Sequence, residues 1–169
     1  MADITELILN DHERFRRQFF ALDAADGPEA LAAIWQPLAE LLEVHAAAEE
    51  AIFYPELLKR GVDGKPETKD AIKDHNKIRD AVRDAAQNAV GDKKWWAAVK
   101  RALDENSDHM AEEERGALPD FREHASESVR NELGARFSQF LTEHKGARGI
   151  DVSDKDPGKY IRSGGAEAH

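Results

Sequence analysis

Four stripes of apolar residues recur along this chain at three- and four-residue steps, and every stripe contains a histidine. Ile4, Ile8, His12, Phe15, Phe19 and Leu22 form the first. Leu31, Ile34, Leu38, Leu41, His45, Ala48 and Ile52 form the second. Ile72, His75, Ile78, Val82, Ala85 and Ala89 form the third, and Trp95, Val99, Ala102, Asn106, His109 and Glu113 the fourth. This spacing is the buried face of an amphipathic helix, and no alternating strand pattern competes with it. Turn signals fall at Gly27 and Pro28, across residues 61–66, at Gly91 and Asp92, and at Pro119. Pro28 suits the first turn of a helix. Pro37, inside the second stripe, is expected to kink or restart its helix. Four long helices on short connections predict an all-α, up-down-up-down four-helix bundle. A shorter stripe, Val129, Leu133, Phe137, Phe140 and Leu141, predicts a fifth helix that closes the bundle or presents a surface for self-association. Residues 1–145 are expected to form the bundle, and 146–169 a polar tail pinned by Tyr160 and Ile161.

In an antiparallel helix pair, two residues share a depth when the turn lies midway between them. The midpoint of positions 12 and 45 falls at Gly27 and Pro28. That of 45 and 75 falls beside Gly61, and that of 75 and 109 at Gly91 and Asp92. His12, His45, His75 and His109 are therefore expected at one level of the bundle, all facing inward. An internal repeat supports this. Asp11 and His12 match Asp74 and His75, and HAAAEEAIFYPEL matches HMAEEERGALPDF, with the histidine, both glutamates and the proline in one register. A His-x-x-x-Glu pair alone is weak, since chance gives about 0.7 occurrences in a chain of this composition. The combination of register and depth is what makes it informative.

The chain has no cysteine, which removes thiol nucleophiles, zinc–thiolate sites and iron–sulfur clusters. Any metal must be held by histidine and carboxylate. A histidine and a glutamate at i and i+4 lie one turn apart on one face and can reach the same ion. His45 with Glu49 and His109 with Glu113, plus His12 and His75, would offer four imidazoles and two carboxylates. Such donors suit iron, manganese or zinc. Without a cation, Glu49 and Glu113 would face each other in an apolar core, at a cost of several kcal/mol each. Formal charge is −10, from 34 acids and 24 bases, which argues against a nucleic-acid partner. The longest uncharged stretch, residues 30–39, is too short for a membrane span. The N-terminal MADITELILNDHE lacks a signal-peptide core, so the cytoplasm is the expected location.

The order His, HxxxE, His, HxxxE resembles the hemerythrin-like, or HHE cation-binding, domain over roughly the first two thirds of the chain. DHERF around His12, DHNKI around His75, and HxxxEE followed by a proline six residues after the first glutamate carry the resemblance. It implies two iron ions with an oxo or hydroxo bridge, His12 and His45 on one, His75 and His109 on the other, Glu49 and Glu113 bridging. It also implies a small diatomic ligand or peroxide as partner. Hemerythrins proper place a fifth histidine four residues after the third; here that position is Arg79. The resemblance thus admits a protein that binds O2, peroxide or nitric oxide, or buffers iron. It also admits a di-iron oxidoreductase with peroxidase- or catalase-like turnover. A metal-free helical interaction domain is the bland alternative.

Other residues are less determined. Glu50 and Glu114 lie well off the histidine direction and are expected to be solvated, unless one backs the site. Glu105 and Asn106 either support His109 or end a polar face. Tyr54 is a packing residue or a phenol behind the ligands, and Phe53 ordinary packing. Arg79 either flanks the site or turns outward to Asp80 or Asp84. One of Trp95 and Trp96 is expected in the core, and His124, His144 and His169 on the surface.

Overall fold

The computed structural model describes residues 2–166, and they form an all-α bundle. Four long helices carry the stripes: α1 (Ile4–Asp23), α2 (Pro28–Ala48), α4 (Gly64–Ala86) and α5 (Lys93–Arg115). Between α2 and α4 lie a π-helical turn (Glu49–Phe53) and the short α3 (Tyr54–Arg60). After α5 come α6 (Ala117–His124), α7 (Glu127–Glu143), a 3-10 turn (Lys145–Ala147) and α8 (Pro157–Arg162).

Local chemistry sets the ends. The Asp3 carboxylate accepts from the Thr5 amide to cap α1, and Ser126 and Asp156 cap α7 and α8 in the same way. Pro28 occupies the first turn of α2, as expected. Pro37 does not restart that helix, which runs on to Ala48. Pro37 and Ala33 are both exposed, so the carbonyl that loses its helical donor faces solvent. The inward face of α2 is also rotated from the expected stripe: Trp35 and Leu42 are buried, and Ile34 and Leu41 only partly so. Ala89 lies beyond the end of α4 and is exposed.

The core has two apolar clusters. Ile4, Ile8, Ile52, Phe53, Ile72 and Phe121 belong to one; Phe15, Phe19, Trp35, Leu38, Ile78 and Trp95 to the other. On α1, α2 and α4 the histidine separates the two clusters, so the predicted polar level is a slice between two greasy halves. Helix α7 packs on α1 and α2, burying Leu133, Gly134 and Phe137. Gly134 is required there, because a Cβ would lie 1.9 Å from the Ala2 carbonyl oxygen. Arg130 on α7 reaches the Asp3 cap at 2.6 Å, tying the closing helix to the start of α1. The stripe from Val129 to Leu141 thus closes the bundle. After α7 the chain returns along α4, where Tyr160 is fully buried and Ile161 half-buried. No helix among the described residues is long and apolar enough to cross a membrane.

Candidate metal centre

The six residues singled out from the sequence converge. His12, His45, Glu49, His75, His109 and Glu113 are all at most 3% exposed. Ligand atoms of His12, His45, Glu49 and Glu113 lie within 4.8 Å of one another, and so do those of Glu49, His75 and His109. Glu49 belongs to both sets. His45 Nε2 lies 2.9 Å from Glu49 Oε1, and His12 Nε2 3.3 Å from Glu113 Oε2. On the other side His75 Nε2 is 3.2 Å from Glu49 Oε2, and His109 Nε2 3.5 Å from Glu113 Oε2. The Nε2 atoms of His75 and His109 face each other at 3.2 Å.

These separations are short, yet His12 Nε2, His45 Nε2, both Glu49 oxygens and Glu113 Oε2 have no hydrogen-bond partner. They crowd together with no other protein group to satisfy them. Ligands about 2.1 Å from a shared ion lie about 3–4 Å apart, which is the spacing found here. Buried polar atoms are normally satisfied, so this ring of orphaned atoms fits a cation.

The outer face of the ring is, by contrast, well bonded. His12 Nδ1 donates to Glu114 at 2.9 Å, His45 Nδ1 to Asp11 at 3.1 Å, and His75 Nδ1 to Glu50 at 2.9 Å. A carboxylate on Nδ1 fixes the tautomer that leaves Nε2 free as a donor to metal. Glu50 and Glu114 are thus not merely solvated: both reach back to a histidine, and Glu50 is 1% exposed. Asp11, next to His12, serves His45 on the neighbouring helix. The DH pair shared by positions 11 and 74 is no signal for it, since Asp74 pairs with Lys77.

The ionisation pattern follows. Burial alone would lower the His45 imidazolium, but Glu49 and Asp11 outweigh it and hold its pKa well above 6.5. Burial raises the Glu49 carboxyl, but His45, His109 and His75 together hold it well below 4.5. Burial likewise opposes Glu50, yet His75 and Arg79 bring it to about 2. In the metal-free protein, then, protons on His45 and His109 balance the buried Glu49 carboxylate, and a cation would displace them.

Tyr54 is buried and its hydroxyl donates to Glu113 Oε1, so it is a phenol behind one of the clustered carboxylates rather than only a packing group. Burial, then Glu113 and Glu49, push its pKa well up and keep it protonated. Phe53 packs against Tyr54 and Phe121. Arg79 does not turn outward. It is 1% exposed and holds Glu50 through two contacts of 2.8 and 2.9 Å, while Arg83 takes Asp80 and Arg101 takes Asp84. Its charge is therefore spent on Glu50. Glu105 and Asn106 do not support His109: Glu105 pairs with Lys77, and Asn106 donates to the Met110 sulfur. Trp95 is the buried tryptophan, His124 is exposed and His144 half-exposed; His169 lies outside the described residues.

A cavity of about 140 Å³ links this ring to the surface. Its inner wall is Tyr54, His109 and Glu113, and Pro66, Glu67, Asp70 and Glu112 line it further out. It is smaller than the roughly 300–1,000 Å³ of sites for drug-sized molecules. Burial, then Asp120, Asp63 and Glu113, raise the Glu67 carboxyl to about 7.

A four-helix bundle with a buried slice of clustered imidazoles and carboxylates is a cation-binding protein by construction. The Hemerythrin HHE cation binding domain matches residues 3–121, and the chain belongs to that family. A comparison with curated proteins yields no match, and neither does one with solved structures.

Proposed function

We propose that the protein is a non-haem di-iron protein. His12 and His45 would hold one iron, His75 and His109 the other, and Glu49 and Glu113 would be shared by both. The observation that carries this reading is the buried cluster in which His12 Nε2, His45 Nε2, both Glu49 oxygens and Glu113 Oε2 lack a partner while the Nδ1 atoms of His12, His45 and His75 are anchored. Nitrogen and oxygen donors of this kind accept iron, manganese or zinc, and membership of the hemerythrin family favours iron among them. Metal analysis of the purified protein tests it, with two irons per chain expected. A protein that purifies with no metal and takes up none would overturn the reading.

The partner is a small molecule, O2, peroxide or nitric oxide, arriving through the cavity at His109 and Glu113, which is too small for a drug-sized ligand. When bound, the irons supply open coordination positions and one-electron redox chemistry. The chain excludes bulk water with the apolar clusters on either side, and Tyr54 holds a proton at its hydroxyl against Glu113 Oε1.

A second reading, a di-iron oxidoreductase with peroxidase- or catalase-like turnover, has a specific observation in its favour. The Tyr54 phenol lines the entry cavity and contacts a ligand carboxylate, which places a proton source where a small ligand enters. Arg79 occupies the position of the fifth histidine of hemerythrins proper, and arginine is a poor metal ligand. Peroxide consumption by the iron-loaded protein, slowed at least tenfold in Tyr54→Phe, favours turnover. Repeated O2 cycling with no oxidation favours carriage.

A further inference from the structure

The C-terminal segment, residues 152–165, lies outside the part of the chain that matches the family, yet it reaches the backbone and side chain of Glu50. We infer that this segment is a strap that positions the His75 side of the metal centre, with Tyr160 and Lys155 as its positioning residues. The inference rests on the di-iron reading above.

The need for such a strap begins at Pro55. In the π-helical turn the Tyr54 amide donates to the Glu49 carbonyl, five residues back. Pro55 has no amide hydrogen. Neither donor that could serve the Glu50 carbonyl from within the helix is therefore free to do so. The Tyr160 hydroxyl supplies it: the ring is fully buried and donates to the Glu50 carbonyl oxygen. The approach is tight. At Gly165, a Cβ would lie 2.6 Å from Pro55 Cγ and 3.0 Å from the Tyr160 hydroxyl, and its φ is +84°. Only glycine fits there without strain.

The side chain of Glu50 is held as well. Lys155 Nζ lies 3.5 Å from Glu50 Oε2, opposite the Arg79 guanidinium, and the same carboxylate accepts from His75 Nδ1. The strap is latched beside these groups. Asn76, the neighbour of His75, exchanges two hydrogen bonds with the Lys155 backbone, at 2.8 and 2.9 Å. Arg83 donates to the Val152 carbonyl and to Asp154. The strap thus grips the residue after Glu49 and the residue after His75. Its action on the metal is indirect, through the Glu50 carboxylate that orients the His75 ring. Groups behind a ligand at this distance change metal affinity by about 10–100-fold.

The test uses the full-length chain with Tyr160→Phe, which removes one hydroxyl, Lys155→Gln, which removes one charge, and Lys155→Arg, which restores it. In the metal-free protein, hydrogen exchange at the amides of residues 51–54 should be about tenfold faster in Tyr160→Phe, the effect of one lost buried hydrogen bond. In protein loaded anaerobically with ferrous iron, a colorimetric chelator should remove one of the two ions about tenfold faster in Tyr160→Phe and Lys155→Gln, with the second ion at the parent rate and Lys155→Arg close to parent. Release of both ions at the parent rate would overturn the strap's role even if exchange quickens. Equal acceleration of both ions would overturn it too, since that is a general loosening. A parent protein that holds no iron would overturn the di-iron reading and the positioning role together. A parent with two irons and indifferent variants would remove only the strap.

Discussion

The two halves of the internal repeat share a sequence pattern and end in different environments. Both run His-x-x-x-Glu-Glu to a proline six residues after the first glutamate, and both break the regular α-helix before that proline. The first half does so with a π turn over Glu49–Phe53. The second ends α5 at Arg115 and restarts after Gly116. The second glutamate of each half then crosses to a histidine of another helix, Glu50 to His75 and Glu114 to His12. Glu50 is sealed by Arg79 and the C-terminal strap. Glu114 keeps 29% exposure and pairs with Arg16, itself 42% exposed. A repeated motif therefore specifies who touches whom, while burial, and with it energy, is decided by the segments that happen to cover each copy.

The comparison breaks first at the carboxylates that should not differ. Glu49→Ala and Glu113→Ala are each expected to cost both irons rather than one, because each lies between the two histidine pairs. Iron per chain by elemental analysis checks this, and two irons retained in Glu113→Ala would remove that residue from the shared role.

The second glutamates should differ sharply. Glu50→Gln leaves Arg79 buried without a counter-charge and should cost about 3–5 kcal/mol in urea unfolding of the metal-free protein. Glu114→Gln, at a partly exposed pair, should cost about 0–1 kcal/mol. Equal losses would mean that the strap does not seal its half.

Metal and pH should act in opposite directions on the same groups. His45 has a raised folded pKa, so its contribution to metal-free stability is full below its ordinary 6.5 and is lost as pH rises through the folded value. Glu49 has a depressed one, so its contribution is present above 4.5 and fades as pH falls. The metal-free protein should be most stable between these limits and lose Tm as pH climbs past 7. Iron binding displaces the imidazole protons and should grow stronger over the same climb. Chelation above pH 7 should lower Tm while the helical circular dichroism is kept. A metal-free Tm that rises from pH 7 to 9 would contradict the assignment.

The smallest effect is expected at the break in the second half. A Cβ on Gly116 would meet Glu67 Oε1 at 2.5 Å, the far end of a flexible side chain that can swing away, and the Glu112 carbonyl oxygen at 3.2 Å, which must give by a few tenths of an ångström. Gly116→Ala should cost about 1 kcal/mol or less by chemical denaturation, against the larger penalty for disturbing the π turn.

Much of the site was legible because a helix has one period. Three- and four-residue steps placed His12, His45, His75 and His109 inward, and turn midpoints placed them at one depth, with no tertiary information. The i+4 rule selected Glu49 and Glu113 from acidic runs. The rotated face of α2 was not legible, since Ile34 and Trp35 are both apolar and only packing chooses between them. Nor were Glu50 and Glu114: a residue well off the ligand direction reads as solvated, and here each points into the seam with a neighbouring helix.

The sequence by itself determined the all-α bundle, the level of the histidines and the residue types available to a cation, because these depend on periodicity and spacing along one chain. Only the tertiary structure decided that Arg79 turns inward to Glu50, that Asp11 serves a histidine on another helix, and that Tyr160 fills the carbonyl left open by Pro55. Those are contacts between residues 29, 34 and 110 positions apart. Their partners are chosen by which surfaces pack together, and no local pattern encodes that.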